Sequence, residues 1–144
     1  MAEFTYNPVQ TVLQNQAAIF NTTIGCQKGY VFHRNESGIV ILRGIVNNPS
    51  SCFARYQCTF NGNIAVSAGG TLGPIAVALA IDGEPILTSR AIVTPAAIGD
   101  YFNVTSTAFI TVPKGCCFNI SVENVSEGTS IDLQNANLVV TRVA

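Results

Sequence analysis

A chain of 144 residues, 48% hydrophobic and only 10% charged, fits one ordinary domain with a real core and has too little charge to cover a monomer's surface generously. No apolar run approaches the roughly 20 residues that a membrane-spanning helix needs, the longest being the strand-sized Ile75 to Ile81. The net charge of −1 is scattered, and the seven bases (Lys28, Arg34, Arg43, Arg55, Arg90, Lys114, Arg142) form no cluster, so neither a membrane nor a nucleic acid is expected as a partner.

Met1 to Gln10 lacks a basic stretch followed by an apolar core and does not read as a secretory signal peptide. Residues 1–15 are expected to be an N-terminal anchoring arm, with the domain proper over 16–144. No segment sustains an apolar i, i+3, i+4, i+7 stripe over three turns, whereas β-branched residues punctuated by Gly, Asn and Pro dominate. Strands are expected at Val9–Phe20 with a break, Tyr30–Arg34, Ile39–Val46, Phe53–Phe60, Asn63–Ser67, Pro74–Asp82, Pro85–Thr94, Tyr101–Val112, Cys116–Asn124 and Ile131–Val143. Turn chemistry separates them, with Asp82-Gly83 the strongest hairpin signal, because a type I′ turn wants positive φ at both central residues; Asn61-Gly62 is a second. About ten short, regularly spaced strands predict an all-β fold, a two-sheet jelly-roll sandwich. An immunoglobulin-type sandwich usually buries a Trp, and this chain has none.

Strand faces say more than strand existence. Phe118, Ile120 and Val122 point one way while Cys117, Asn119 and Ser121 point the other, the pattern of a half-buried strand. Ile75, Val77, Leu79 and Ile81 oppose Ala76, Ala78 and Ala80, and Ile39, Ile41 and Ile45 oppose Val40, Leu42 and Val46. Both faces of these two strands are expected to be covered, the outward one by a partner subunit or an overlying segment. If a subunit covers it, Ala78→Arg impairs assembly.

Chemistry-bearing residues are sparse. The only histidine, His33, comes with no nucleophile signature, so no catalytic residue is assigned and the chain is expected not to be an enzyme. The five cysteines (Cys26, Cys52, Cys58, Cys116, Cys117) cannot all pair within one chain, and they are expected to act mainly as buried apolar side chains. Their spacing is not that of a zinc site, and adjacent Cys116 and Cys117 are expected to face opposite layers. Asp82-Gly83-Glu84 offers two carboxylates to calcium but is explained by a hairpin turn; Asp100 and Asp132 stand alone. No metal, cofactor or cofactor-binding residue is expected. Five Asn-x-Ser/Thr matches, at Asn21, Asn35, Asn103, Asn119 and Asn124, are the chance product of an Asn-, Ser- and Thr-rich chain.

The runs Gly73–Pro85, Ile92–Ala97, Val112–Cys117 and Asn135–Val143 resemble the small jelly-roll structural proteins, of capsid-decoration or head-fibre type, encoded by tailed phages and prophages of Firmicutes. They are also similar to the trimeric, tumour-necrosis-factor-like (TNF/C1q-like) C-terminal domain of collagen-like spore-surface glycoproteins of bacilli. The resemblance covers roughly residues 70–144 well and Tyr6 to Val46 more loosely. It implies a homotrimer on the exterior of a virion, made in the host cytoplasm and partnered by the major capsid protein or another virion protein. Loops at Asn47–Ser51, Ser67–Thr71 and Glu123–Ser130 are expected to face outward or to meet capsid and glycans. The alternative is a carbohydrate- or receptor-binding head of a fibre or spore surface layer. The collagen-like Gly-X-Y tract of the spore proteins is missing, which favours the phage-type reading.

Overall fold

The computed structural model describes residues 2–25 and 29–144; Cys26 and Lys28 fall outside them. Among the described residues, twelve strands form two antiparallel sheets of a jelly-roll sandwich, with one 3-10 turn at Leu87–Ser89. The first sheet runs in the order β10 (Phe102–Pro113), β6 (Phe53–Val66), β12 (Ile131–Arg142), β1 (Ala2–Tyr6), β3 (Thr22–Gly25), with β2 (Gln10–Val12) also paired to β12. The second runs β4 (Val31–His33), β5 (Val40–Arg43), β11 (Cys117–Asn124), β7 (Ile75–Ile81), β8 (Glu84–Pro85), with β9 (Ala91–Val93) also on β7. Period-two alternation sends Tyr56, Phe60 and Ile64 of β6, Ile110 of β10 and Leu138 and Val140 of β12 into the core, where they meet Leu42, Val77, Leu79 and Ile120 of the second sheet. The buried Tyr56 hydroxyl keeps a partner by donating to the carbonyl of Arg43 at 2.6 Å.

The Asp82-Gly83 hairpin is present, with φ of 50° and 85° at its two central residues. Asn61-Gly62 does not turn the chain: the two expected strands on either side are one 14-residue strand. Gly62 is needed there for packing, because a Cβ would stand 2.9 Å from both Leu133 Cδ1 and Phe60 Cζ. The expected arm is likewise part of the sandwich. From Ala2 onward β1 lies between β12 and β3, and Phe4 is fully buried, because alternation in Ala2-Glu3-Phe4 sends the apolar side chains inward. β12 holds a bulge between Gln134 and Asn137, where Asn135 adopts a φ of 55°. That extra residue switches the inward set from Ile131 and Leu133 to Ala136, Leu138 and Val140.

The alanine row needs no partner subunit. Ala76, Ala78 and Ala80 are buried within one chain, shaded by longer neighbours in register: Ile92 beside Ala76, Glu123 beside Ala78, and Ser121 and Pro85 beside Ala80. Ala78→Arg therefore probes folding rather than assembly. On β5 the two faces differ. Val40 and Leu42 are core, while Ile39 is exposed and Ile41 half-buried beside Phe32 of β4, so that face is open in the single chain.

Gly62→Val should lower the urea midpoint by an amount worth about 2 kcal/mol through overpacking against Phe60 and Leu133, without shifting the m-value. Equilibrium unfolding followed by circular dichroism checks this, and an unchanged midpoint would mean the position has spare room.

Candidate functional site

The residues that drew attention in the sequence do not converge. His33 is 4% exposed, packed against the rings of Phe4 and Phe20, with Nε2 2.8 Å from the Ser37 carbonyl oxygen. It is a core residue with no route to a substrate. Asp82 ties its hairpin turn to β11, its Oδ1 accepting from the Asn119 backbone amide at 3.0 Å, and Asp132 accepts from the Thr11 hydroxyl. Asn124, one of the five glycosylation matches, is completely buried. Among the described residues no group of three His, Cys, Asp or Glu side chains is placed to hold a metal ion.

The thiols depart from expectation. Of the four in described residues only Cys58 is buried, and burial pushes its thiol up to about 12. Cys52, Cys116 and Cys117 are all exposed, where β6 begins and the β10–β11 turn lies, so the adjacent pair does not place one thiol in the core. Cys116 belongs to the turn, its amide donating to Pro113, and that breaks the strand alternation on which the expectation rested.

Three surfaces among the described residues combine shape with distinctive chemistry. The first is a pocket of about 350 Å³ at the pole where β6 and β11 end, between the loops at 67–74 and 125–130 and β9. Its walls are pinned from behind. The Asn124 Nδ2 donates to the carbonyls of Val12 and Thr129, its Oδ1 accepts from the Ser126 amide, the Ser126 hydroxyl accepts from the Ala76 amide, and Thr129 Oγ1 accepts from the Thr71 amide. Exposed Leu72 and Ile92 give its lining an apolar part, and exposed Arg90 and Glu127 supply its charges. No hydrogen bond or ion pair engages the Arg90 guanidinium among the described residues.

A second hollow of about 430 Å³ lies on the outside of the second sheet, between the Asp82-Gly83 turn, β11 and residues 15–17. It is rich in acceptors. Glu123 is nearly buried in its wall, and desolvation, then the neighbouring Glu84, raise its carboxyl above the ordinary 4.5 despite a hydrogen bond with Ser121.

The third surface is the outer face of the first sheet. β6, β10 and β12 together carry only Arg55, Asp132 and Arg142 as charged residues, and Arg142 lies over the Tyr30 ring. Uncharged side chains bond across the strands: Asn103 to Asn63, Asn63 to Asn135, Thr105 to Asn61 and Thr107 to Thr59. At the end near the thiols the face carries exposed Phe53 and Phe109, with Arg55 4.9 Å from the Phe109 ring centre. None of these three surfaces is marked by a spacing motif; each is assembled by topology.

No family model and no curated protein matches the chain. Among solved structures it is similar to the globular domain of zebrafish complement 1qA protein (TM-score 0.68, 12% identity, over 99% of this chain and 96% of that one). It is also similar to Eiger TNF from S. frugiperda (TM-score 0.64, 13% identity, over 100% of this chain and 92% of that one). A looser likeness, with a TM-score of 0.36 and 16% identity over 81% of this chain and 87% of the other, is to the EclA C-terminal domain, a sugar-binding protein. The fold is thus the jelly-roll sandwich of C1q and TNF domains.

Two outcomes are expected. In native protein, iodoacetamide should label Cys52, Cys116 and Cys117 within minutes while Cys58 reacts only after unfolding, which peptide mass mapping reads; early labelling of Cys58 would contradict its burial. Because Glu123 binds its proton more tightly folded than unfolded, its contribution to stability is fully present below about pH 4.5 and is lost as pH rises through its raised folded value. Glu123→Gln should flatten that part of the pH–stability curve measured by urea midpoints, and an unchanged slope would count against the assignment.

Proposed function

We propose that this chain is a non-enzymatic head domain that assembles as a homotrimer and decorates the exterior of a tailed-phage particle, bound to the major capsid protein or another virion protein. The observation that carries the assembly is the outer face of the first sheet, three long strands nearly free of charge and bearing exposed Phe53 and Phe109. Charge depletion with aromatic enrichment is the composition of an interface core rather than of open surface. A stable contact needs about 800 Å² from each partner, which strands of 12 to 14 residues can supply. The C1q- and TNF-like fold and the resemblance to phage decoration and spore-surface domains support the threefold arrangement and the particle exterior. The burial of His33, the lone histidine, supports a role without catalysis. A second reading, a carbohydrate- or receptor-binding head, is favoured by the pinned pocket at the pole where β6 and β11 end.

Light scattering should give three times the 15.2 kDa chain mass with and without reductant. Phe109→Glu, at a position 54% exposed in the single chain, should give monomers with an unchanged circular dichroism spectrum. A wild-type monomer would overturn the assembly. An antibody to the domain should label intact particles, and label found only in soluble lysate would overturn the virion placement.

A further inference from the structure

Arg90 and Ile92 are two residues apart in extended chain, so they share a face, while Ala91 between them turns inward against the core. Both line the polar-end pocket. The residue preceding them is fixed: Ser89 is buried, its hydroxyl accepts from the Leu79 amide at 3.0 Å and donates to the Ile86 carbonyl at 2.7 Å, and its carbonyl accepts from Ser106. Across the pocket, the hydroxyls of Ser126 and Thr129 are already used by the amides of Ala76 and Thr71. Besides the Thr71 hydroxyl, the polar side-chain groups left for a ligand are therefore the guanidinium of Arg90 and the carboxylate of Glu127, with Leu72 and Ile92 beside them.

That set specifies a ligand by its parts. Arg90 calls for a carboxylate, which a guanidinium can hold through two parallel N–H bonds. Glu127 accepts hydrogen bonds and repels a second anion, so the rest of the ligand must bring hydroxyl donors and no further negative charge. Leu72 and Ile92, 48% and 56% exposed, call for a C–H face. The volume of about 350 Å³ lies at the small end of ligand sites. A sugar residue bearing one carboxylate has all three parts. Acetate lacks the donors and the apolar face, and a neutral hexose leaves Arg90 unused. We propose that this pocket binds an acidic saccharide, with Arg90 on the carboxylate, Glu127 on ring hydroxyls and Ile92 and Leu72 against the ring. The inference rests on the second reading, of the chain as a binding head, and does not require the trimer.

The test is titration of the whole chain with sodium glucuronate, N-acetylneuraminate, glucose and acetate, read by calorimetry and saturation-transfer NMR. At least one acidic sugar should bind about tenfold more tightly than glucose or acetate, and Arg90→Gln should remove that preference. Ile92→Ser should weaken the acidic sugar several-fold while leaving its preference over glucose. Both positions are exposed, so thermal midpoints near wild type are expected and are measured alongside. Binding of acetate as tight as that of the sugars, an unchanged affinity in Arg90→Gln, or no binding of either acidic sugar up to about 10 mM would each overturn the proposal. Light scattering on the same samples separates the two ideas: a trimer that binds no acidic sugar removes the site and leaves the assembly, whereas a monomer that binds it does the reverse.

Discussion

One buried amide holds the sandwich together where its layers have to communicate. Asn124 ends β11 in the second sheet, yet its side chain is bonded to Val12 at the end of β2 in the first, to Thr129 and to Ser126. Its backbone exchanges bonds with Asn15 and Gln16, where the N-terminal segment has just crossed from one sheet to the other. Each such bond contributes only about 1 kcal/mol net, but leaving buried carbonyls and amides unpaired costs about 1–3 kcal/mol apiece. The crossing, the 125–130 loop and the pocket wall are therefore stable together or not at all. A hydrophobic residue at this place would remove the Asn124 side-chain bonds from three backbone groups, so burying a polar side chain is the cheaper arrangement.

Much of the architecture was legible because it depends on period-two patterning. The run of β7 and the Asp82-Gly83 turn follow from residues a few positions apart, whereas the alternation read for β11 holds only over its first half, since Ser121 and Glu123 are buried as well as Ile120 and Val122. Legibility ended where one signal has two causes. Asn61-Gly62 is turn chemistry in isolation, but Gly62 is also what a strand needs where Phe60 and Leu133 crowd the same spot, and only the fold reveals the crowding. The alanine row misled for a similar reason. An apolar outward face points to a partner subunit or an overlying segment, yet alanine is small enough to be covered by Glu123, Ile92 and Pro85 on the adjacent strands. The bulge in β12 was written in the sequence, since the apolar positions move from odd at Ile131 and Leu133 to even at Leu138 and Val140. Reading it requires treating the strand as continuous.

The candidate site was much less legible. Arg90, Glu127, Leu72 and Ile92 come from three separate stretches with no shared spacing, and their proximity is created by strands ending at a common pole. The residues with distinctive chemistry went elsewhere, His33 into the core and Asp82 into its hairpin. The scarcity of charge, by contrast, was informative at the level of composition: it extends to the three longest strands, β6, β10 and β12, which carry only three charged residues between them.

The long strands also give the molecule two chemically distinct ends. β6 runs roughly 40 Å from the exposed thiols of Cys52, Cys116 and Cys117 at its start to the pocket loops at its finish. A maleimide-coated bead or gold support would thus grasp the described part of the chain by one pole only. Immobilised in this way, the domain becomes an oriented reagent, with every pocket facing the solution and every copy presented alike.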